Sequence, residues 1–181
     1  TAGSAASSNL QAMAEDGDIS GLVCDLMSVG ATIVENPAGG LLAPGASTSA
    51  MLDTGSATAN TQLSIVAMML PTNDGFGGLN AVTLPDSGTE TFHVNAYDAG
   101  TEANDEIRGS GMPGQAGFPV PPPIDSEVDS GGSGRTASAE GYVHIHRGVL
   151  GDTDDSGGVS DIDSTRQRWL NPVLRVTVTV K

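Results

Sequence analysis

Two acidic turns follow two strong strand candidates. Pro71-Thr72-Asn73-Asp74-Gly75-Phe76 comes directly after an apolar run ending at Leu70, and Tyr97-Asp98-Ala99-Gly100-Thr101-Glu102 follows a strand candidate ending near Ala96. Strand ends on one rim of a sandwich bring their loops together. A hard cation such as Ca²⁺ takes about six to eight oxygen ligands, which carboxylates and loop carbonyls supply. Asp98 and Glu102 straddle Gly100, so the chain can curl and aim both carboxylates at one point. Spacing alone favours the local alternative, because an Asp in a turn most often accepts from its own backbone.

A second acidic cluster runs from Asp152 to Asp163 and follows EF-hand loop spacing. Asp152, Asp154 and Asp163 fall at acid positions, Ser156 and Ser160 at hydroxyl positions, and Gly158 offers a backbone carbonyl. It resembles the calcium loop of dockerin-type modules. The flanking segments are too short for the usual pair of helices, so a solvated acidic loop stands beside a second Ca²⁺ site. His144 and His146 share one face of an alternating segment, Gly141 to Gly148, with Tyr142; Val143 and Ile145 are expected to point inward. An H-x-H pair can bind Zn or Cu, but the third histidine, His93, is remote in sequence, and a half-exposed strand face is the plainer reading. Nothing resembles a nucleophile elbow, a zinc-protease helix or a phosphate loop; Gly109 to Gly114 is Gly-rich without strand-to-helix context.

The elements that must position these residues are short strands. Gly is 25 of 181 residues, Pro 10, and aromatics only 3%, a composition of turns and loops. Residues 8–28 read as helical: Ser8 caps a first helix that Gly17 ends, and Asp18 caps a second with Leu22, Val23, Leu26 and Met27 on a core face. Strand candidates follow at 31–34, 47–52, 62–70, 80–84, 90–97, 141–148 and 173–180. The run 62–70 is nearly continuous apolar and should be a central strand buried on both faces. Residues 109–134 and 151–164 read as long loops within one domain spanning 1–181. Many short strands without a βαβ rhythm predict an all-β antiparallel sandwich with a short helical segment near the N-terminus.

The formal net charge is −15. That excludes nucleic acid, which needs clustered Lys and Arg, and disfavours anionic membrane surfaces. It suits solubility and cations as partners. No apolar run has the length of a membrane span. Cys24 is the one cysteine, so no internal disulfide forms; it lies in an apolar run and is expected to be buried as a small hydrophobe. The small polar stretch Thr1 to Ser8 reads as a processed or cut start.

The first acidic turn resembles the Pro-Ser-Pro-Asp-Trp turn of the spondin N-terminal domain found in F-spondin and mindin. The second resembles that family's Trp-Asp-Ala-Gly-Thr-Asp, and Asn171-Pro172-Val173-Leu174-Arg175-Val176-Thr177-Val178 resembles its last strand. The bacterial branch is similar also through 15–18, 98–106 and 141–148. The resemblance implies a C2-like β-sandwich with Ca²⁺ held by Asp74, Asp98 and Glu102. It implies a non-enzymatic, secreted module of adhesive or matrix type, at the cell surface, outside the cell or in the periplasm, whose partner is an extracellular protein or glycan. Glu102 stands where the family has Asp, one methylene longer with the same ligand type. The family domain also begins with strands that have no counterpart before Ser8–Ala14. Either a separate piece supplies them, or a neighbouring chain does so by β-augmentation, which would make the chain a filament or surface-assembly subunit. A metalloenzyme using His144 and His146 is the remaining alternative.

Overall fold

The computed structural model describes residues 1–55 and 60–181. Its elements in chain order are helices α1 (Ser8–Asp16) and α2 (Ser20–Ser28), then strands β1 (Gln62–Met68), β2 (Gly75–Thr83), β3 (Gly88–Val94) and β4 (Ala96–Asp98). A one-turn helix α3 (Pro122–Asp125), β5 (His144–Ile145) and β6 (Leu174–Val180) complete it. These strands pair antiparallel, and two isolated parallel bridges, Arg108 with Phe118 and Asp152 with Asp163, lie outside them. β1, β2, β4 and β5 form one sheet in that order, and β3 pairs with β6 in a second. The fold is all-β and sandwich-like, as the strand pattern predicts.

β6 alternates Val with Thr and Arg, and its ladder with β3 sets Thr89 opposite Thr179 and Thr91 opposite Thr177. The facing hydroxyls lie 3.0 and 3.3 Å apart, the cross-strand pairing that stabilises a solvated sheet face. The chain changes sheets at Asn95, between β3 and β4. The sheets meet where Leu174 of β6 lies over Gly77 of β2; a Cβ at Gly77 would sit 2.4 Å from the Leu174 side chain. Along β1 the register slips between Leu63 and Ile65, and the Ser64 hydroxyl accepts from the N–H of Ala81, whose φ is 51°.

Several sequence expectations are corrected. Among the described residues β1 is an edge strand, paired only with β2, and its side chains mostly alternate between half-buried and exposed. An apolar run of small and medium residues was insufficient to place it centrally, because burial requires a second neighbour. Residues 31–34 and 47–52 form no strand. The first helix is capped by Ser7, not Ser8: its side chain accepts from the Leu10 N–H, and Gly17 ends the helix at φ 76°. α1 packs inward through Met13 and Ala14 onto Phe76, Ala99 and Val143. α2 joins this cluster through Leu22, but Leu26, Met27 and Cys24 are exposed, so the expected buried cysteine is a surface thiol. The alternating segment 141–148 holds a strand of only two residues, and its alternation fails there. Val143 is buried as expected, but Ile145 faces solvent while His146 is buried under Trp169. Among the described residues no helix is long and apolar enough to cross a membrane.

The long segments 109–134 and 151–164 are irregular apart from α3, yet they are not merely solvated. Phe118, Val128, Val149 and Ile162 form a second apolar cluster, with Val120 and Trp169 packed against it. Phe118→Ala should therefore destabilise the chain by about 3–5 kcal/mol, the usual cost of emptying a buried aromatic site. Equilibrium urea unfolding measures it, and a loss under about 1 kcal/mol would mean that these loops pack loosely.

Candidate metal centre

Strand pairing brings the two acidic turns together. β2 and β4 align Gly75 with Asp98 and Phe76 with Tyr97, so the start of β2 and the end of β4 share one rim. Phe76 and Tyr97 stack at 5.8 Å behind it. The first turn is tightened by Thr72, whose hydroxyl donates to Met69 O (2.5 Å) and accepts from Gly75 N (3.0 Å). Asp74 then faces the second turn. Its Oδ2 accepts from Thr101 N (2.7 Å), Glu102 N (3.1 Å) and the Thr101 hydroxyl (3.2 Å), while its carbonyl accepts from Ala99 N (3.2 Å).

All three acids expected as calcium ligands are buried. Glu102 Oε1 accepts from Asn73 Nδ2 (3.0 Å) and from Gly117 N. Asp98 accepts from Gly100 N at Oδ1 (2.8 Å) and from Asn104 Nδ2 at Oδ2 (2.7 Å). Asp74 Oδ1 and Glu102 Oε2, however, are buried with no hydrogen-bond partner. Other buried carboxylates show that this is not a general feature. Both oxygens of Glu15 are bonded, to Gln11 Nε2 and Gly114 N; so are both of Glu106, which also pairs with Arg135, and both of Asp161. A buried carboxylate oxygen without a protein partner is costly, and a cation, a bound proton or an ordered water relieves that cost.

Burial, with the Asp98 charge adding to it, pushes the Asp74 carboxyl up to about 7. Burial likewise lifts Glu102 to about 7, with Glu15 and Asp105 adding to it. Asn73 and Asn104 support this rim and were not singled out by sequence: Asn73 Nδ2 also bonds Asp105 Oδ1 (2.7 Å), and its Oδ1 accepts from Glu106 N (3.1 Å). Asparagines in turns look like ordinary turn residues until the opposite loop is seen.

Beyond Asp98 the rim meets a third segment. β4 pairs with β5 so that Asp98 lies opposite His144, and Asn171 clips the two strands through Ala96 N (2.7 Å) and His146 O (3.0 Å). Gly100 makes the approach feasible. It has φ 69°, and a Cβ there would fall 2.3 Å from Tyr142 O; Gly141 N donates to its carbonyl (2.8 Å). Among the described residues, Asp98, Glu140 and His144 are the set of three whose ligand atoms all lie within 4.8 Å of one another. Asp74, Asp98 and Glu102 are neighbours without meeting that distance. Glu140 was missed in the sequence; its spacing of four before His144 was the available signal.

Of the H-x-H pair noted in the sequence, His144 belongs to the set with Asp98 and Glu140 and His146 does not. His144 Nε2 lies 3.7 Å from Asp98 Oδ1 and His146 Nε2 lies 3.9 Å from Asp98 Oδ2, so the two rings address different oxygens. Burial lowers the pKa of His146, against the opposing pull of the Asp98 charge. His93, the third histidine, is exposed on β3.

The 152–163 loop satisfies itself. Asp152 accepts from the backbone N–H groups of Asp154, Val159 and Ser160, which hold its carboxyl below the usual range. The Asp154 carboxylate accepts from Ser156 N and its hydroxyl, and Ser160 Oγ accepts from Ile162 N. A Cβ at Gly158 would collide with Asp152. Asp163 is engaged by Thr165 and Arg166, which lower its pKa to about 2. Flanking helices are absent among the described residues, and the carboxylates of Asp152, Asp154 and Asp163 do not converge as a set of three.

No protein-family model matches the chain, and a search of the curated proteins finds no match either. Two outcomes test the geometry. Folded Asp74 and Glu102 hold protons more tightly than their ordinary values of 3.8 and 4.5 allow. Their stabilising contribution is thus full below those values and is lost as pH rises through about 7. In chelator, the melting temperature should fall between pH 5 and 8, and Asp74→Asn should flatten that fall; an unchanged slope would contradict the burial argument. Gly100→Ala should cost about 2–4 kcal/mol through its φ and the Tyr142 collision, read by urea unfolding.

Proposed function

We propose that the chain is a non-enzymatic, secreted, calcium-binding β-sandwich module of adhesive or matrix type, related to the C2-like spondin N-terminal domain. Asp74, Asp98 and Glu102 would hold the Ca²⁺. The observation that carries this reading is the pair of buried, partnerless oxygens, Asp74 Oδ1 and Glu102 Oε2, in two turns already tied together by Asp74 Oδ2. An all-oxygen donor set in irregular turns suits a hard cation. Calcium, when bound, supplies the positive charge that lets these acids stay ionised in a buried position. The chain's own residues do the rest: Thr72 and Gly75 shape the first turn, Asn73 and Asn104 orient Glu102 and Asp98, and Phe76 with Tyr97 back the rim. The metal would then fix the rim loops, on or beside which an extracellular protein or glycan binds.

One observation favours the assembly reading as an alternative. Among the described residues β1 has one paired neighbour, and the β3–β6 sheet has two strands and hence two edges. Open edges accept strands from another chain. Light scattering across a concentration series, with electron microscopy of native material, separates a monomeric module from a strand-exchanging filament.

The calcium reading is tested by melting the chain in chelator and in millimolar Ca²⁺ at pH 8. Ligand-bound stabilisation at a hundredfold excess over Kd is about 2.7 kcal/mol, which should raise Tm by several degrees. The rise should shrink as pH drops to 5 and vanish in Asp74→Asn. Identical melts of the wild type with and without Ca²⁺ would overturn it.

A further inference from the structure

Calcium at the Asp74–Glu102 rim leaves Glu140, His144 and His146 without a role, although their placement is costly. His144 Nε2 is buried and has no hydrogen-bond partner; Asp98 Oδ1 is 3.7 Å away and Glu140 Oε2 3.8 Å. Those separations are too long for hydrogen bonds and suit atoms arranged around a common ion. The tautomer agrees. His144 Nδ1 lies 3.0 Å from Ile145 O, and a carbonyl only accepts, so Nδ1 carries the ring proton and Nε2 presents its lone pair. Asn104 Nδ2 donates to Asp98 Oδ2 (2.7 Å) and Glu140 Oε1 (3.3 Å), orienting both carboxylates from one side.

His146 has the opposite tautomer. Gly148 N donates to its Nδ1 (3.0 Å), so the neutral ring carries its proton on Nε2. That N–H is buried without an acceptor, 3.9 Å from Asp98 Oδ2, on a side chain only 2% exposed and packed against Trp169. A buried donor left unpaired in this way costs free energy unless the carboxylate moves toward it when the site fills.

We propose that Asp98, Glu140 and His144 form a second cation site, for a divalent transition metal of the Zn²⁺ class, with His146 positioning Asp98. One imidazole nitrogen with two carboxylates is a donor set that Zn²⁺ accepts, whereas Ca²⁺ takes oxygens alone. Glu140 is partly exposed, so the site opens to solvent on that side. Three protein ligands leave one tetrahedral position for water or a partner's donor group. Asp98 is common to this site and to the calcium rim, but the inference does not depend on the calcium reading.

The test is a Zn²⁺ titration of the chelator-stripped chain, followed by calorimetry and by NMR of the histidine rings. One equivalent should bind. Glu140→Gln and His144→Gln should each weaken binding at least about tenfold, while still melting cooperatively. Asp74→Asn should keep Zn²⁺ binding and lose the Ca²⁺ response, so the two readings fail separately. In the wild type, which needs no variant to fold, Zn²⁺ should shift the His144 ring signals. It should also move the His146 Nε2–H signal downfield as that proton bonds Asp98, and leave His93 in place. Unmoved His144 signals at saturating Zn²⁺, or wild-type affinity in both variants, would overturn the proposal.

Discussion

The carboxylate of Asp74 ties the two rim turns together, and the arrangement of the rim depends on it. One oxygen collects the N–H groups of Thr101 and Glu102, which fixes the second turn against the first. The other oxygen is left bare in the interior. A side chain placed only to cap a turn would use its bonds locally, as Asp152 does with Asp154, Val159 and Ser160. Asp74 instead reaches across 27 residues of sequence and leaves its second oxygen in the interior without a partner.

The same contrast separates structural from functional acidity in a chain of formal charge −15. Glu106 is buried beside Arg135 and accepts from Leu150 and Gly151, and Asp161 bonds Arg108 N and Gly132 N. These groups organise the irregular half of the molecule, where Phe118, Val128 and Ile162 form a core without regular strands. On the rim the acids are packed near one another and incompletely bonded. Like charges crowded in low dielectric raise each other's pKa unless a cation is added, which is why the rim, and not the more acidic 152–163 loop, bears the metal proposal.

Asp98 sits between two environments. On one side its charge raises the Asp74 carboxyl; on the other its two oxygens face His144 and His146 from just beyond hydrogen-bonding range. Gly100 lets both exist, since its bare backbone allows Tyr142 to lie against the turn. The Asp-Ala-Gly-Thr motif thus has a steric reason for its glycine that is independent of any ligand: a side chain there would part the rim from the segment carrying Glu140 and the histidines.

The sequence by itself determined the all-β class, the two acidic turns and the terminal strand, because alternation, turn residues and helix stops are local properties of neighbouring residues. It also marked Asp74, Asp98 and Glu102 as a group, although spacing left a local cap as the stronger alternative. Tertiary structure decided what depends on partners distant in sequence. It made the apolar run at 62–68 an edge strand, exposed Cys24, and buried His146 where alternation put Ile145. It also split the histidine pair and brought Glu140 to Asp98. Burial and ligand convergence are set by which segments meet across the sheets and loops, and a one-dimensional pattern carries the preferences of each segment without the identity of its neighbours.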